Sequence, residues 1–376
     1  VPKVPDLAVI VLTAKIVPQV FKECGEKGVD KIILISGGFR ELSGDRKNTL
    51  TEVINEIAKK YGIRFIGPNC LGVFNNWFEK TNSNSAFNIA IWEHLKKGNF
   101  SIASQSGTLS SHIWYDPENL DLGLSKSLSV GNEANIDIVD CLEYYKDDKE
   151  TEVIGLYIEE LKRGKRFLEL AREITPKKPI IAIYVGGSQG GNRALQSHTG
   201  SLAGDSKIYN TVFKETNIIK TDYVQEFLDI ALILSNKILP KGNRIGIITN
   251  SGGPGAMIAN NAEKHGLAVP EFSESLQKEL KAILPTTAGF DNPVDITFDM
   301  NLPYFYITLP EKLLQPTMKN SREYSVPIFY VNPMSFTSPW SKRLRRNGAL
   351  LFKLWDRPVN ALAKVCQYIE YKQKQE

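Results

Sequence analysis

Short apolar runs alternate with amphipathic stretches along the first part of the chain. DLAVIVLT, KIILISGG and RFIGPNC are separated by VPQVFKECGEKG and LTEVINEIAKKYG, all between residues 6 and 70. Continuous apolar runs of this length are typical of strands buried on both faces, whereas the stretches between them repeat apolar positions with a helical period. The order strand, helix, strand, helix, strand predicts a parallel α/β sheet, and the Asn-rich segment 76–88 predicts a connector after it.

The same alternation returns in two further regions. Between residues 98 and 240, strands are predicted at FSIASQ, SKSLSV, EVIGLYI, PIIAIYV and NIIKTDY, with helices starting near Thr108, Asp137, Arg166 and Ser206. From residue 244, RIGIITN and VPIFYVN are predicted strands, and AMIANNAEKHG and NALAKVCQYIEYKQ are predicted helices. IASQSGTLSS and ITNSGGPGAM share the order strand, small polar turn, helix, which predicts two related doubly wound domains. Ligands bind at the carboxyl ends of strands in such sheets, so both turns are candidate phosphate sites.

Composition places the chain among ordinary globular proteins. Its 376 residues, 42% hydrophobic and 23% charged, predict a soluble protein of two or three domains. The net charge of +4 is small and the basic residues are dispersed, so no nucleic-acid partner is expected. No apolar run reaches the roughly 18 residues that span a bilayer and no signal peptide is recognisable, so neither export nor membrane insertion is expected.

The cysteines do not suggest a metal centre or a disulfide framework. Cys24, Cys70, Cys141 and Cys366 are far apart and lack C-x-x-C spacing. A cytoplasmic protein without a metal site of its own is therefore predicted.

The segment QSHTGSLAG, residues 196–204, holds the most suggestive side chain of the chain. His198 stands among small residues, and two interpretations fit it: a solvated loop histidine, or an imidazole nucleophile that accepts a phosphoryl group. A phosphohistidine needs an acid or carbonyl to orient the ring. Glu159 and Glu160, at the end of the predicted strand EVIGLYI, could supply it or could form an ordinary exposed strand end.

Two predicted helix N-termini could stabilise the charge of such a phosphate. Their residues are Ser106, Gly107 and Thr108 in the first, and Gly252, Gly253 and Gly255 in the second. Each offers free backbone N–H groups and the positive end of a helix dipole, although either turn alone could be a plain connection. A P-loop is not predicted at residues 186–193, because Asn192 and Arg193 stand where Lys and Ser or Thr are required.

Eight segments follow one another along the chain in this order: FIGPNCLGVFN, SIASQSGTLSS, SVGNEANIDIVD, LYIEELKRGKRFLELA, KPIIAI, QSHTGSLAG, GIITNSGGPGAM and NPVDIT. Together they resemble the alpha subunit of ADP-forming acetyl-CoA synthetases, members of the succinyl-CoA synthetase superfamily. The resemblance implies an α/β protein in which residues 1–95 are the C-terminal part of a Rossmann-like CoA-binding domain. It further implies a flavodoxin-like ligase domain with the phosphohistidine loop at 96–240, and a second, shortened flavodoxin-like ligase domain at 241–376, both doubly wound parallel sheets.

The resemblance also assigns roles to individual residues. It makes His198 the phosphorylated histidine and Glu159, rather than Glu160, the acid that orients it. The two helix N-termini named above would together cradle the phosphate. Coenzyme A would lie across the first domain, at Val11, Lys15, Ser36, Gly37, Asn69, Cys70 and Leu71.

The implied activity is that of an acid–thiol ligase subunit. It would reversibly convert acyl-CoA, phosphate and ADP or GDP into the acid, CoA and ATP or GTP. The nucleotide and Mg²⁺ would be bound by a separate ATP-grasp beta subunit in a hetero-oligomer. The acyl group stays open, and the alternative is a regulatory acyl-CoA-binding module of the kind fused to protein acetyltransferases.

Overall fold

The computed structural model describes residues 3–39, 46–78, 86–89, 95–115, 122–198, 204–236, 239–249, 251–297, 329–331, 338–346, 350–352 and 354–375. The chain divides into two compact units, Val1–Phe227 and Leu228–Glu376. Both units contain α-helices and parallel strands, and the first also contains antiparallel strand pairs.

The first unit opens with a small parallel sheet. Its strands pair in the order β1 (Ala8–Ile10), β2 (Lys31–Leu34), β3 (Arg64–Ile66), and they are joined by α1 (Val17–Glu26) and α2 (Arg46–Tyr61). The predicted succession of strands and helices is confirmed here. The sheet is anchored by Phe21 of α1, whose ring meets that of Phe65 edge to face at 5.1 Å.

A seven-stranded sheet fills the rest of the first unit. Its strands are β4 (Gly72–Asn75), β5 (Phe87–Asn88), β6 (Lys97–Ser104), β7 (Leu124–Ser129), β8 (Val153–Ile158), β9 (Ile180–Tyr184) and β10 (Ile219–Thr221). They pair in the order β10–β9–β8–β6–β7–β4–β5, and the first five are parallel. The helices are α3 (Gly107–Ser111), α4 (Ile138–Asp147), α5 (Gly164–Ile174), α6 (Gln189–His198), α7 (Ser206–Glu215) and α8 (Val224–Leu234), of which the residues after Phe227 belong to the second unit. All five strands predicted in this region are confirmed.

Helix α4 shows how local sequence fixes this layer. The Asp137 side chain accepts hydrogen bonds from the N–H groups of Val139 and Asp140, and Asp140 accepts one from the N–H of Asp137. Such a reciprocal cap stabilises a helix by about 1 kcal/mol. The buried face of α4 packs with α5 in one core beside the central strands.

Two features of this unit differ from the prediction. β4 and β5 lie where a connector was expected, and β4 pairs antiparallel with the exposed edge of β7. An unpaired strand edge leaves backbone groups without partners, so even a four-residue strand is favoured there. Residues 72–88, predicted as part of the first domain, thus contribute strands to the second sheet, and the boundaries at 95 and 240 stay predictions. The second difference is α6, which was not predicted and which ends at His198.

The second unit contains two pairs of parallel strands, β11 (Ile248–Thr249) with β12 (Val294–Asp295) and β13 (Phe329–Val331) with β14 (Leu350–Phe352). Its remaining helices are α9 (Gly252–Lys264), α10 (Glu274–Ile283), α11 (Pro339–Arg346) and α12 (Asp356–Gln373). α9 and α12 confirm two predicted helices, while among the described residues of RIGIITN only Ile248 and Thr249 form a paired strand. Among the described helices of the chain, none has the length and apolar character needed to cross a membrane.

We expect Gly155→Val to destabilise the first unit. A Cβ at Gly155 of β8 would lie 2.5 Å from the Phe227 ring and 2.6 Å from the Phe100 ring. Forcing extra atoms into a packed core costs about 1–3 kcal/mol, which a urea unfolding curve would detect. Gly164→Ala is the control, since its Cβ would meet nothing within 4 Å, and its effect should stay within about 0.5 kcal/mol. Equal midpoints for the two variants would contradict this account of β8.

Candidate functional site

The turn that follows β8 holds Glu159 and Glu160. The Glu159 side chain is only 5% exposed. The Gln105 side chain, just past the neighbouring strand β6, accepts hydrogen bonds from the N–H groups of both glutamates and donates one to the Glu160 carbonyl, 2.8 Å away. The next N–H, that of Leu161, donates to the Tyr209 hydroxyl at 3.0 Å. Glu159 therefore sits on a backbone segment that side chains from two other elements hold in place.

The turn after β6 leads into α3. The Ser104 hydroxyl accepts a hydrogen bond from the Ser106 N–H at 3.1 Å and donates to the Ser106 carbonyl at 2.7 Å. Ser106 then caps α3, with its side chain accepting from the Leu109 N–H. A Cβ at Gly107 would lie 2.8 Å from Cγ of Leu71, so this glycine is required by packing. The predicted phosphate-site residues Ser106, Gly107 and Thr108 thus lie at a helix N-terminus beside the turn that carries Glu159, and Thr108 is exposed.

The second unit repeats this turn after β11. The Thr249 hydroxyl accepts from the Ser251 N–H at 3.3 Å and donates to the Ser251 carbonyl at 3.0 Å. α9 then begins at Gly252, and the Ser251 side chain makes no capping hydrogen bond. The predicted correspondence of the two turns extends to their hydrogen bonds. Gly252, Gly253 and Gly255 all lie in the first turn of α9.

The residues predicted to bind CoA cluster at the carboxyl edge of the small sheet. The N–H of Leu12 donates to the hydroxyl of buried Ser36, and the N–H of Asn69 donates to the Ser36 carbonyl, each at 2.9 Å. Val11 is 65% exposed beside them. Lys15 is exposed on a single turn of 3₁₀ helix, Ala14–Ile16. Gly37 faces Asn69, because a Cβ there would lie 3.5 Å from Oδ1 of Asn69.

The loop GPNCLG connects this edge to the second sheet. The Leu71 N–H donates to the Ser129 hydroxyl at 3.0 Å, and the Asn69 amide donates to the Asn132 side chain. Cys70 turns inward, with its thiol 3.3 Å from the Leu34 carbonyl. Burial raises the pKa of Cys70 to about 12, so its thiol stays protonated and poorly nucleophilic.

Glu133 is a candidate that the sequence did not single out. Its side chain is 4% exposed and accepts a hydrogen bond from the Ile138 N–H at 2.8 Å. Burial raises its pKa to about 7, although the Lys162 charge and hydrogen bonds from Ile138 and Gln105 oppose the shift. The Lys162 ammonium donates to the Glu133 carbonyl. Gln105 therefore touches both Glu133 and the turn that carries Glu159, and only the fold brings them together.

A cleft of about 390 Å³ lies next to Glu133. Its other lining residues are Arg64, Ala134, Asn135, Asp137, Asp140, Lys162 and Arg163. Arg163 forms ion pairs with Asp137 and Asp140, and Arg64 approaches Asp140 at 3.6 Å. Asp137 and Asp140 are thus paired with basic residues of the same lining, while Lys162 donates to the backbone carbonyls of Asn132 and Glu133.

The predicted histidine lies at the end of α6, the helix that follows β9. The sequence predicted a small-residue loop at this point, and the structure instead extends a helix to His198. Its side chain and residues 199–203 lie outside the described part of the chain. The described chain continues at Gly204, whose carbonyl accepts a hydrogen bond from the Tyr184 hydroxyl at 2.8 Å. In the described part of the chain, no group of three or more His, Cys, Asp or Glu residues is arranged to hold a metal ion.

Two family models match the chain. One is described as a succinyl-CoA ligase like flavodoxin domain and matches residues 97–234; the other, a CoA binding domain, matches residues 1–76. The fold and the paired helix-start turns agree with these matches. They define a protein of the succinyl-CoA synthetase superfamily.

Individual relatives narrow this class. The chain is 42% identical over 318 residues to the alpha subunit of acetate–CoA ligase (ADP-forming) II from Pyrococcus furiosus, matching 85% of this chain and 68% of the relative. It is 35% identical to 4-hydroxybutyrate–CoA ligase (ADP-forming) from Nitrosopumilus maritimus, matching 84% of this chain but only 45% of that relative. Acetyl-coenzyme A synthetase 1 from Ca. Korarchaeum cryptofilum, solved with phosphate and ADP, is 28% identical with a TM-score of 0.83 over 100% of this chain and 86% of that one. This chain belongs to the family of ADP-forming acyl-CoA ligases, to which the alpha subunits of acetate–CoA ligases belong.

We expect Glu133→Gln to change how the free energy of unfolding depends on pH. The pKa of Glu133 in the folded protein, about 7, lies above its ordinary value of 4.5, so the folded state holds the proton more tightly than the unfolded state. The wild type should lose on the order of 1–3 kcal/mol as the pH rises through this window, whereas the variant should not.

Urea unfolding at about pH 5 and about pH 8 measures this difference. The variant should gain stability relative to wild type at the higher pH. Glu26→Gln, at an exposed helix position, is the control and should show the same difference from wild type at both pH values. If the difference in unfolding free energy between Glu133→Gln and wild type is the same at both pH values, the raised pKa assigned to Glu133 is refuted.

Proposed function

We propose that this chain is the phosphohistidine-carrying subunit of a nucleoside-diphosphate-forming acyl-CoA synthetase. The observation that carries the proposal is buried Glu159, whose backbone Gln105 holds at the carboxyl edge of β8, next to the turn that leads into α3. The helix that ends at His198 follows β9, the strand paired with β8. Beyond His198, the Gly204 carbonyl accepts a hydrogen bond from Tyr184 at the end of β9. The segment that carries His198 therefore starts and finishes at the edge where β8 also ends, which favours an approach of His198 to Glu159.

The proposed reaction has three reversible steps. Phosphate oxygen attacks the carbonyl carbon of acyl-CoA, the C–S bond breaks, and an acyl phosphate and free CoA thiol result. An imidazole nitrogen of His198 then attacks the phosphorus, the bond from phosphorus to the acyl oxygen breaks, and the carboxylic acid leaves. A terminal phosphate oxygen of a nucleoside diphosphate finally attacks the phosphorus, the P–N bond to His198 breaks, and the nucleoside triphosphate and free imidazole result. Glu159 would orient the imidazole through its other ring nitrogen and balance the positive charge that develops on the ring.

The first sheet fits CoA as the acyl carrier. Its carboxyl edge offers the exposed apolar side chains of Val11 and Leu12 for the pantetheine arm and the exposed Lys15 for phosphate groups. The nearby Ser36, Gly37 and Asn69 present polar backbone and side-chain groups at the same edge. A phosphate could then meet the N–H groups at Gly107 and Thr108, which packing places next to Leu71 of the same region.

The nucleotide would be bound by a partner. We infer an ATP-grasp beta subunit that supplies Mg²⁺ and ADP or GDP, in a cytoplasmic hetero-oligomer. The reported relatives are named as ligases or synthetases, which favours catalysis over a purely regulatory acyl-CoA-binding module. Their names include both acetate and 4-hydroxybutyrate ligases, so the acyl group is a matter for a substrate panel.

His198→Asn should abolish covalent labelling by acetyl phosphate carrying ³²P. Acetyl phosphate supplies the phosphoryl group directly, so neither CoA nor a partner subunit is needed. Wild type should gain one acid-labile, base-stable phosphate, seen by intact mass and by gel autoradiography. His112→Asn, at an exposed histidine of the same unit, is the control and should label normally. Labelling of His198→Asn at the wild-type level would disprove the assignment.

A charge placed at Gly253 should slow this labelling. A Cβ there would meet nothing within 4 Å, so a side chain fits without repacking, unlike at Gly107. Gly253→Glu would bring a negative charge to the start of α9 and repel a phosphoryl group, whereas Gly253→Gln has nearly the same shape and no charge. We expect the Glu variant to label at least about fivefold more slowly than the Gln variant, since one helix terminus contributes roughly 1 kcal/mol. Equal rates would remove α9 from the phosphate site.

A further inference from the structure

Three consecutive backbone N–H groups after β8 are bonded by side chains rather than by a neighbouring strand. Those of Glu159 and Glu160 donate to the Gln105 side chain, and that of Leu161 donates to the Tyr209 hydroxyl. Gln105 closes the arrangement by donating its amide to the Glu160 carbonyl. The backbone that carries Glu159 thus has its position fixed by one residue from the turn after β6 and one from α7.

Tyr209 also contacts Gly204, the residue at which the described chain continues after His198. Its ring stacks on that of Tyr184, with centroids 3.7 Å apart and planes 11° from parallel. The Tyr184 hydroxyl donates to the carbonyl of Gly204, and a Cβ at Gly204 would lie 2.8 Å from the Tyr209 ring. Burial raises the pKa of Tyr184 to about 12, so its hydroxyl keeps its proton and remains a donor at neutral pH. One pair of rings therefore touches both Gly204 and the turn after β8.

We propose that Gln105 and Tyr209 are positioning residues that fix the backbone of residues 159–161 and, with it, the position of Glu159. The inference rests on the proposed function, because Glu159 needs a defined position only if it orients a reacting imidazole. Displacing a catalytic group by about 1 Å can cost up to about 100-fold in rate. Neither Gln105 nor Tyr209 is required to touch the phosphoryl group; each acts through the backbone of residues 159–161.

The geometry separates this role from a simple contribution to folding. Tyr209→Phe keeps the stacked ring and removes only the acceptor for the Leu161 N–H. Tyr145→Phe is a matched control, because the buried Tyr145 hydroxyl donates to the Ile102 carbonyl within the core of the same sheet, 2.8 Å away. Both variants lose one hydrogen bond between a tyrosine and the backbone, but only one of them touches the turn after β8.

Labelling with ³²P-acetyl phosphate tests the proposal on the whole chain. For Tyr209→Phe and for Gln105→Met we expect the labelling rate at saturating acetyl phosphate to fall about tenfold, with less than about a twofold change in the half-saturating concentration. Tyr145→Phe should label like wild type and differ only in its urea midpoint. Should Gln105→Met fail to fold, the Tyr209→Phe comparison still decides the matter.

The outcomes distinguish the two claims. If wild type labels on His198 while Tyr209→Phe and Gln105→Met label at the same rate, the positioning role is overturned and the proposed function stands. If Tyr145→Phe slows labelling as much as Tyr209→Phe does, the effect belongs to stability and the positioning role is again overturned. If wild type takes up no phosphate from acetyl phosphate or from any other acyl phosphate of the substrate panel, the proposed function fails, and the inference fails with it.

Discussion

Backbone N–H groups just past the carboxyl ends of parallel strands have lost their strand partners, and the rest of the site depends on how they are satisfied. In this protein side-chain oxygens accept many of their hydrogen bonds. Ser36 accepts from Leu12, and Ser129 accepts from Leu71. Gln105 does the same for the turn after β8. Because buried N–H groups must be paired, these acceptors fix the turns without covering them by a further strand. The turns are thus held by side chains where no further strand pairs with them.

The sheet edge near the turn after β8 also concentrates negative charge. A phosphohistidine there would add nearly two further negative charges. Glu133 and Glu159 are both buried, and Gln105 touches the first and the backbone of the second. With a pKa of about 7, Glu133 is partly protonated at neutral pH, so it opposes an incoming phosphate less than an ordinary carboxylate would. The Lys162 ammonium, which donates to the Glu133 carbonyl, compensates further.

Sequence reasoning recovered the elements that have a strong pattern and missed those defined by tertiary contacts. The buried runs predicted β6 to β10, because strands covered on both faces are apolar throughout. β4 was missed because four residues carry too little pattern, and the free edge of β7 decides its conformation. α6 was missed since its glycines and polar residues favour a loop. Glu133 could not be recognised from the sequence as a site candidate. Its burial and its hydrogen bond with Gln105 depend on contacts between residues that are distant in the chain.

The glycines at the start of α9 are explained only in part by the protein itself. Glycine within a helix costs up to about 1 kcal/mol relative to alanine, so three in one turn need a reason. A Cβ at Gly255 would lie 2.8 Å from Thr249, and one at Gly252 would lie 3.2 Å from the Asp295 carboxylate. At Gly253 a Cβ would meet nothing within 4 Å, and this glycine is not among those with positive φ. Nothing in the described chain requires the absence of a side chain at Gly253. A group that approaches the bare helix N-terminus from outside would require it, and an anion bound by backbone N–H groups is such a group.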